Sequence, residues 1–362
     1  MKGIARKAAG LATALLTAAG VACIAVRIPA GFGGKAMGAA AEFILPAGNA
    51  DMLFHEEEED DGTASSGAAA GTSSATSSAA GTPGRKSSSA PAAPSGPAST
   101  TASAVQQTQS GKTLELTIGN GGTQVGNFWV KNSTDRHQSL DLANELTRKP
   151  DFQIQKNSSA PQVLIYHTHT TESFGGNARS TDRTKSVCAV GDEIAAELER
   201  AGIKTLHDKT YHDYPAYNGS YDRSEATMKK DLAANPSIRV TLDIHRDAMH
   251  RDDGTALKPV VLADEKKAAQ LMILAGCDDD GSLGFPNWEK NLRLALRLQK
   301  QITGSYPGLA RPLDFCARRY NEHITTGSLL IEVGTDANTL DEAEYTGTLL
   351  GRSLAQVLNG LA

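Results

Sequence analysis

The chain has 362 residues, a net charge of −5, 40% hydrophobic residues and only 5% aromatics. That balance excludes a nucleic-acid binder working through a global basic field, and the abundance of Ala, Gly, Ser and Thr implies that only part of the chain packs into a core. The four cysteines, Cys23, Cys188, Cys277 and Cys316, show no CxxC spacing and read as ordinary small buried residues, not as a disulfide or finger framework.

Lys2, Arg6 and Lys7 precede an uncharged stretch from Ala8 to Val26, closed by Arg27. At about 1.5 Å per residue it rises about 28 Å, close to a hydrocarbon core of about 30 Å. Positive charge ahead of the apolar run keeps the N-terminus inside and sends the rest across. The small residues Ala39-Ala40-Ala41 lie well beyond Arg27. An uncleaved anchor is therefore preferred to a cleaved signal peptide. Glu56 to Asp61 form an acidic block, and Gly62 to Gly111 is rich in Ser, Ala, Gly, Thr and Pro. Such a stretch cannot bury enough surface to offset its ordering entropy. It reads as a tether reaching about 40 Å.

Order resumes near Lys112. Leu114 to Ile118 alternates like a strand and ends at Gly119-Asn120-Gly121-Gly122; Phe128 to Val130 suggests another strand and Ser139 to Leu146 a small helix. From Pro161 strands and helices alternate. Val163 to Tyr166 is a continuous apolar run, as in a buried parallel strand. Val187 to Arg200 has helical spacing and stops at Gly202. Lys204 to Leu206 reads as a strand, Ser224 to Ala234 as a helix capped by Ser224, and Val240 to Ile244 and Gln270 to Ala275 as strands. Trp288 to Ile302 is an amphipathic helix, Leu329 to Ile331 a strand, and Thr339 to Leu358 the last helix. The alternation predicts an α/β fold with a mostly parallel sheet flanked by helices. The expected organisation is residues 1–30 as cytoplasmic tip and transmembrane anchor, 31–111 as acidic and flexible linker, 112–160 as a strand-containing lead-in, and 161–362 as the catalytic domain.

Three places put metal-type or acid/base side chains at the carboxyl end of a core strand, the edge where open α/β sheets form sites. They are Tyr166-His167-Thr168-His169-Thr170-Thr171-Glu172-Ser173, Asp243-Ile244-His245-Arg246-Asp247, and Ile331-Glu332-Val333-Gly334. The set suits a hydrolytic Zn2+ centre, which takes His and carboxylate ligands and leaves one position for water. His169 and His245 offer two nitrogens, and Glu172 is the candidate third ligand. Glu332 suits the proton-transfer role, and Arg246 suits a substrate carboxylate or a developing oxyanion. His167 points to the opposite face of its strand and reads as a supporting residue. There is no phosphate loop, GxSxG elbow or HExxH.

Together these three segments closely resemble the signatures of the stage II sporulation protein P family. Val190-Gly191-Asp192-Glu193, His207-Asp208-Lys209-Thr210 and Arg319-Tyr320-Asn321 agree as well, so the resemblance spans Leu114 to the C-terminus. It implies a zinc amidase-like catalytic domain that cleaves the bond between N-acetylmuramic acid and L-alanine in peptidoglycan, with a further endopeptidase activity on stem-peptide cross-links. It also implies a role in septal wall thinning and engulfment during sporulation. The expected partner is a membrane-anchored lytic transglycosylase resembling stage II sporulation protein D, and the expected location is the cell membrane, single-pass, with the catalytic domain extracytoplasmic. By resemblance His169 and His245 are zinc ligands and Glu332 the catalytic glutamate. In related amidases the carboxylate ligand begins the helix after the first His. Here that helix opens near Val187 with no acidic residue before Asp192, a departure from that pattern, while Glu172 matches the motif after His169. The alternatives are another extracytoplasmic zinc peptidase acting on wall peptides, and a non-catalytic wall- or partner-binding protein.

Overall fold

The computed structural model describes residues 100–108 and 111–362. The expected anchor and most of the expected linker lie outside these residues. Among the described residues, no helix is long and apolar enough to cross a membrane.

Among the described residues, twelve strands form two sheets. The smaller has the order β1 (Thr100–Thr108), β2 (Gly111–Ile118), β8 (Ala256–Ala263), β9 (Lys266–Ala269). The larger has the order β3 (Thr123–Val125), β4 (Phe128–Asn132), β11 (Leu313–Cys316), β10 (Leu271–Gly276), β12 (Ser328–Thr335), β7 (Val240–Asp247), β5 (Val163–Tyr166), β6 (Thr205–His207). The helices are α1 (Leu142–Thr147), α2 (Val187–Arg200), α3 (Ser220–Ala234), α4 (Trp288–Ser305) and α5 (Leu340–Asn359). Strand β1 falls within the stretch expected to be linker and pairs antiparallel with β2.

The α/β class holds, but the sheets are mixed, not mostly parallel as expected. β6, β5, β7 and β12 run parallel. β10 then pairs antiparallel with β12, and β11 and β4 follow the direction of β10. The reversal has a local cause. A parallel neighbour needs a long crossover, usually a helix. Here the chain passes from β7 through the β8–β9 hairpin straight into β10. The hairpin turns on Asp264 and Glu265, both at positive φ, as a twist-matched two-residue turn requires. Strands β3, β8, β9 and β11 carry weak periodicity, and the sequence did not single them out.

Side-chain alternation sorts the larger sheet into two faces. Val163, Ile165, Leu242, Ile244, Leu329 and Ile331 join one core with Val190, Ile194 and Leu198 of α2, Leu292 of α4, and Leu350 and Leu354 of α5. Leu164 and Tyr166 point the other way, onto Met228 of α3. Fully burying each such apolar side chain contributes about 1.5–3 kcal/mol, so register along β5, β7 and β12 is strongly set. Thr339 caps α5 in a reciprocal pair with Glu342. Helix α3 starts four residues earlier than the predicted Ser224, at a left-handed Gly219 with no side-chain cap. Ser224 is instead fully buried and bonds Thr168 Oγ1 at 2.7 Å. Cys188, Cys277 and Cys316 are free and buried, as read from the sequence.

Candidate metal centre

The three motifs meet where β5, β7 and β12 end. Tyr166 pairs with Asp243, and His245 pairs with Glu332. Register partners present side chains to the same face. Ile244 is committed to the α2–α5 core, so Asp243 and His245 emerge on the α3 face beside Glu332. His169, Glu172, His245, Arg246 and Glu332 are all buried.

His245 stands at the centre. Its Nδ1 is 3.5 Å from Glu172 Oε2, and its Nε2 is 3.0 Å from Asp243 Oδ1. The Asp243 contact is a buried ion pair when the imidazole is charged. Two ligand atoms on a tetrahedral zinc lie about 3.4 Å apart, so the His245–Glu172 spacing suits a shared ion. Asp243 accepts Thr168 N–H at 2.8 Å and Thr168 O–H at 2.6 Å. It is held in place to orient His245, the usual support for a metal-binding imidazole. The His169 ring lies edge-on to His245 at 5.2 Å and stacks on Tyr217 at 4.6 Å. His169 Nε2 faces Tyr217 Oη at 3.3 Å, whereas Nδ1 is buried with no hydrogen-bond partner. A buried polar atom left unsatisfied is expensive, and a bound ion would satisfy it.

The electrostatics agree with this donor set. Burial pushes His169 down to about 4, which leaves it neutral and able to ligate at pH 7. Burial also opposes the Glu172 charge, but His245, Arg246 and His169 outweigh it and hold the carboxyl well below its usual range. For His245 burial acts downward, yet Asp243 and Glu172 raise it well above an ordinary histidine. Both carboxylates thus favour a proton on His245, and an ion bound there would compete with that proton.

Arg246 and His167 take supporting places. Arg246 N donates to Glu172 Oε2 at 3.0 Å, while its guanidinium bonds Ser173 O at 3.0 Å and Ala178 O at 2.6 Å. The arginine thus braces the loop that carries Glu172. His167 is fully buried on the α2 face, between Ile244 O and His207 Nε2, each at 2.8 Å. His207 in turn meets Asp192 at 3.0 Å.

Among the described residues, one set of three donors lies mutually within 4.8 Å: His137, Cys277 and Asp279. His169, Glu172 and His245 do not reach that spacing together, so His169 would have to close on the other two to share an ion with them. The His137, Cys277 and Asp279 set is the poorer candidate on the chemistry of its donors. Both Asp279 oxygens already accept the Asp135 and Arg136 amides. Burial and the nearby carboxylates, Asp279 first, push the Cys277 thiol up to about 12, and only a thiolate binds metal well.

Sequence reasoning gave no role to Asp243, Tyr217, Tyr221 or Arg179. Tyr221 meets His169 edge-on at 5.7 Å, and Arg179 Cζ lies 4.0 Å from the Tyr217 ring centre. One signal was available. Tyr211, Tyr214, Tyr217 and Tyr221 are half of the eight tyrosines in an aromatic-poor chain.

The family model described as Stage II sporulation protein P matches residues 84–355. Stage II sporulation protein P of Bacillus subtilis (strain 168) is 31% identical over 202 residues, covering 50% of this chain and 47% of that protein. The chain thus spans about half the length of the curated relative it matches. Among solved structures, the amidase AmiC2 of Nostoc punctiforme is 13% identical and covers 56% of this chain and 98% of its own, with a TM-score of 0.33. The amidase Ami1 of Mycobacterium abscessus gives 11%, 56%, 99% and 0.33 for the same quantities. The CwlD amidase of Clostridioides difficile, solved in complex with the GerS lipoprotein, gives 13%, 56%, 100% and 0.33. Likenesses this distant carry no functional argument.

Proposed function

The chain belongs to the stage II sporulation protein P family, and on that premise we propose that it is a zinc-dependent peptidoglycan hydrolase of sporulation, cleaving the amide between N-acetylmuramic acid and L-alanine. The observation that carries this reading is the convergence of His169, Glu172 and His245, with an unsatisfied buried nitrogen on His169, beside Glu332 at the edge of one sheet. Zinc held by those three residues would supply a Lewis acid for the scissile carbonyl and a water made acidic enough to deprotonate near pH 7.

The protein's own residues do the remaining work. Glu332, next to His245 in register, takes the proton from the attacking water and returns it to the departing amine nitrogen. Asp243 keeps the His245 ring aligned through its two bonds to Thr168. Arg246 fixes the Glu172 loop through Ser173 and Ala178. Tyr217 and Tyr221 shield His169 and strengthen local electrostatics by excluding water. We place the catalytic domain outside the cytoplasm on an N-terminal membrane anchor, where its substrate lies.

The test is incubation of the full chain with purified peptidoglycan, with chelator and with zinc add-back, followed by mass spectrometry of the released fragments. Free stem peptides with an L-alanine amino terminus, lost with chelator and restored by zinc, are the expected result. Fragments cut only within the peptide would make it a wall peptidase. Wall binding with no fragment under any condition would make it a binding protein.

A further inference from the structure

Beside the candidate metal centre lies a groove of about 820 Å3, lined by Thr171, Arg179, Asp213, Tyr214, Pro215 and Tyr217 among others. Its position relative to the centre is set by backbone pairing. Glu172 and Arg179 form an antiparallel bridge, and Ser180 N donates to Thr171 O at 2.7 Å. Bridged residues have Cα atoms about 4.5–5.5 Å apart and side chains on the same side. Arg179 therefore stands one cross-strand step from the candidate ligand Glu172.

The Arg179 side chain is held as a binding group would be. Nη1 bonds Asp213 Oδ2 at 3.3 Å. Asp213 is buried and also accepts Thr171 N–H at 3.1 Å and Thr171 O–H at 2.6 Å. The guanidinium lies 4.0 Å from the Tyr217 ring centre, and the His169 ring stacks on Tyr217 at 4.6 Å. Arg179 is thus oriented by a fixed carboxylate and an aromatic plane, while its side chain stays 41% exposed. Its remaining N–H groups make no hydrogen bond to the described residues. Further along the same loop, Arg183 lies over Tyr211, and Asp182 is paired with Lys185.

We propose that this groove is the subsite for the peptide side of the substrate, and that Arg179 receives a free carboxylate one or two residues beyond the cleaved amide. The inference rests on the peptidoglycan reading above. Two extended residues span about 7 Å, a reach that suits the short step from Glu172 to the exposed guanidinium. A stem peptide whose second residue is a γ-linked glutamate carries its free α-carboxylate at that distance. The forked guanidinium matches that carboxylate better than an amide.

The test compares two ligands, muramyl-L-alanyl-D-glutamate and the same compound with the glutamate α-carboxylate amidated. Binding is measured calorimetrically to the full metal-depleted chain, so hydrolysis is not needed for the result. The native chain should bind the acid at least about tenfold more tightly than the amide. Arg179→Gln keeps a planar group on Tyr217 and should erase the preference; Arg179→Lys should keep part of it. Circular dichroism and thermal melting confirm that the variants are folded. Equal binding of acid and amide by the native chain, no binding of either, or a preference that survives Arg179→Gln would each overturn the inference. Hydrolysis of the same compounds with zinc separately tests the peptidoglycan reading. Cleavage without carboxylate preference defeats only the subsite, and preferential binding without cleavage defeats only the enzyme.

Discussion

Replacing Asp243 by Asn should weaken metal binding more than its distance from any ion would suggest. The carboxylate is 1% exposed, accepts two hydrogen bonds from Thr168, and lies 3.0 Å from His245 Nε2. Asn is nearly isosteric, so the loss is one of charge. Two effects follow. Charge-assisted hydrogen bonds are roughly twice as strong as neutral ones. Weakening the pair to Thr168 at a buried site should cost about 1–3 kcal/mol of stability. In addition, His245 loses the partner that favours a proton on Nε2 and leaves Nδ1 free to face Glu172. Loss of such supporting groups typically lowers metal affinity about 10–100-fold, which is about 1.4–2.8 kcal/mol. Zinc affinity can be measured by competition with a chromophoric chelator, alongside urea denaturation of the metal-free chain. Thr168→Val removes only the hydroxyl donor and should give a smaller loss of affinity than Asp243→Asn. A zinc affinity within about threefold of native in Asp243→Asn, with His245→Ala clearly impaired, would refute the orienting role.

Three further outcomes are expected. Glu332→Gln should keep zinc content near native while lowering peptidoglycan hydrolysis about 10²–10⁴-fold; a loss of zinc with activity would instead make Glu332 a ligand. Burial first, and His207 second, push His167 down to about 3, below the usual histidine value. The unfolded chain therefore takes up a proton that the folded chain refuses, and the stability tied to this group is full above about pH 6.5 and lost as pH falls towards 3. From pH 7 to 5 that amounts to about 2 kcal/mol, so urea denaturation of His167→Gln should show a shallower pH dependence than native; identical slopes would count against it. Gly334 adopts φ +68°, and an added Cβ would lie 2.8 Å from Ala269 Cβ and from Asn338 Oδ1. Gly334→Ala should destabilise the chain by about 1–3 kcal/mol, seen as a lower thermal midpoint, and should disturb Glu332 two residues away.

The sequence by itself determined the parts of this protein that depend on local pattern. The apolar run Val163 to Tyr166, the spacing of Val187 to Arg200 and the Thr339 start of the last helix were all readable, because periodicity and capping act within a few residues. The three motif clusters were readable as one crevice because residues at the carboxyl ends of neighbouring strands must converge. What only the tertiary structure decided is non-local. The β8–β9 hairpin turned β10 antiparallel to β12, which no periodicity within β10 could announce. Ser224 gave up its expected capping position for a buried bond to Thr168, since the partner lies fifty-six residues away. The placing of Asp243 beside His245, and of Tyr217 against both His169 and Arg179, arises from strand register and loop packing. Those contacts depend on which face a chain presents once the sheet is assembled, and a single residue's shift in register would send each side chain to the opposite face.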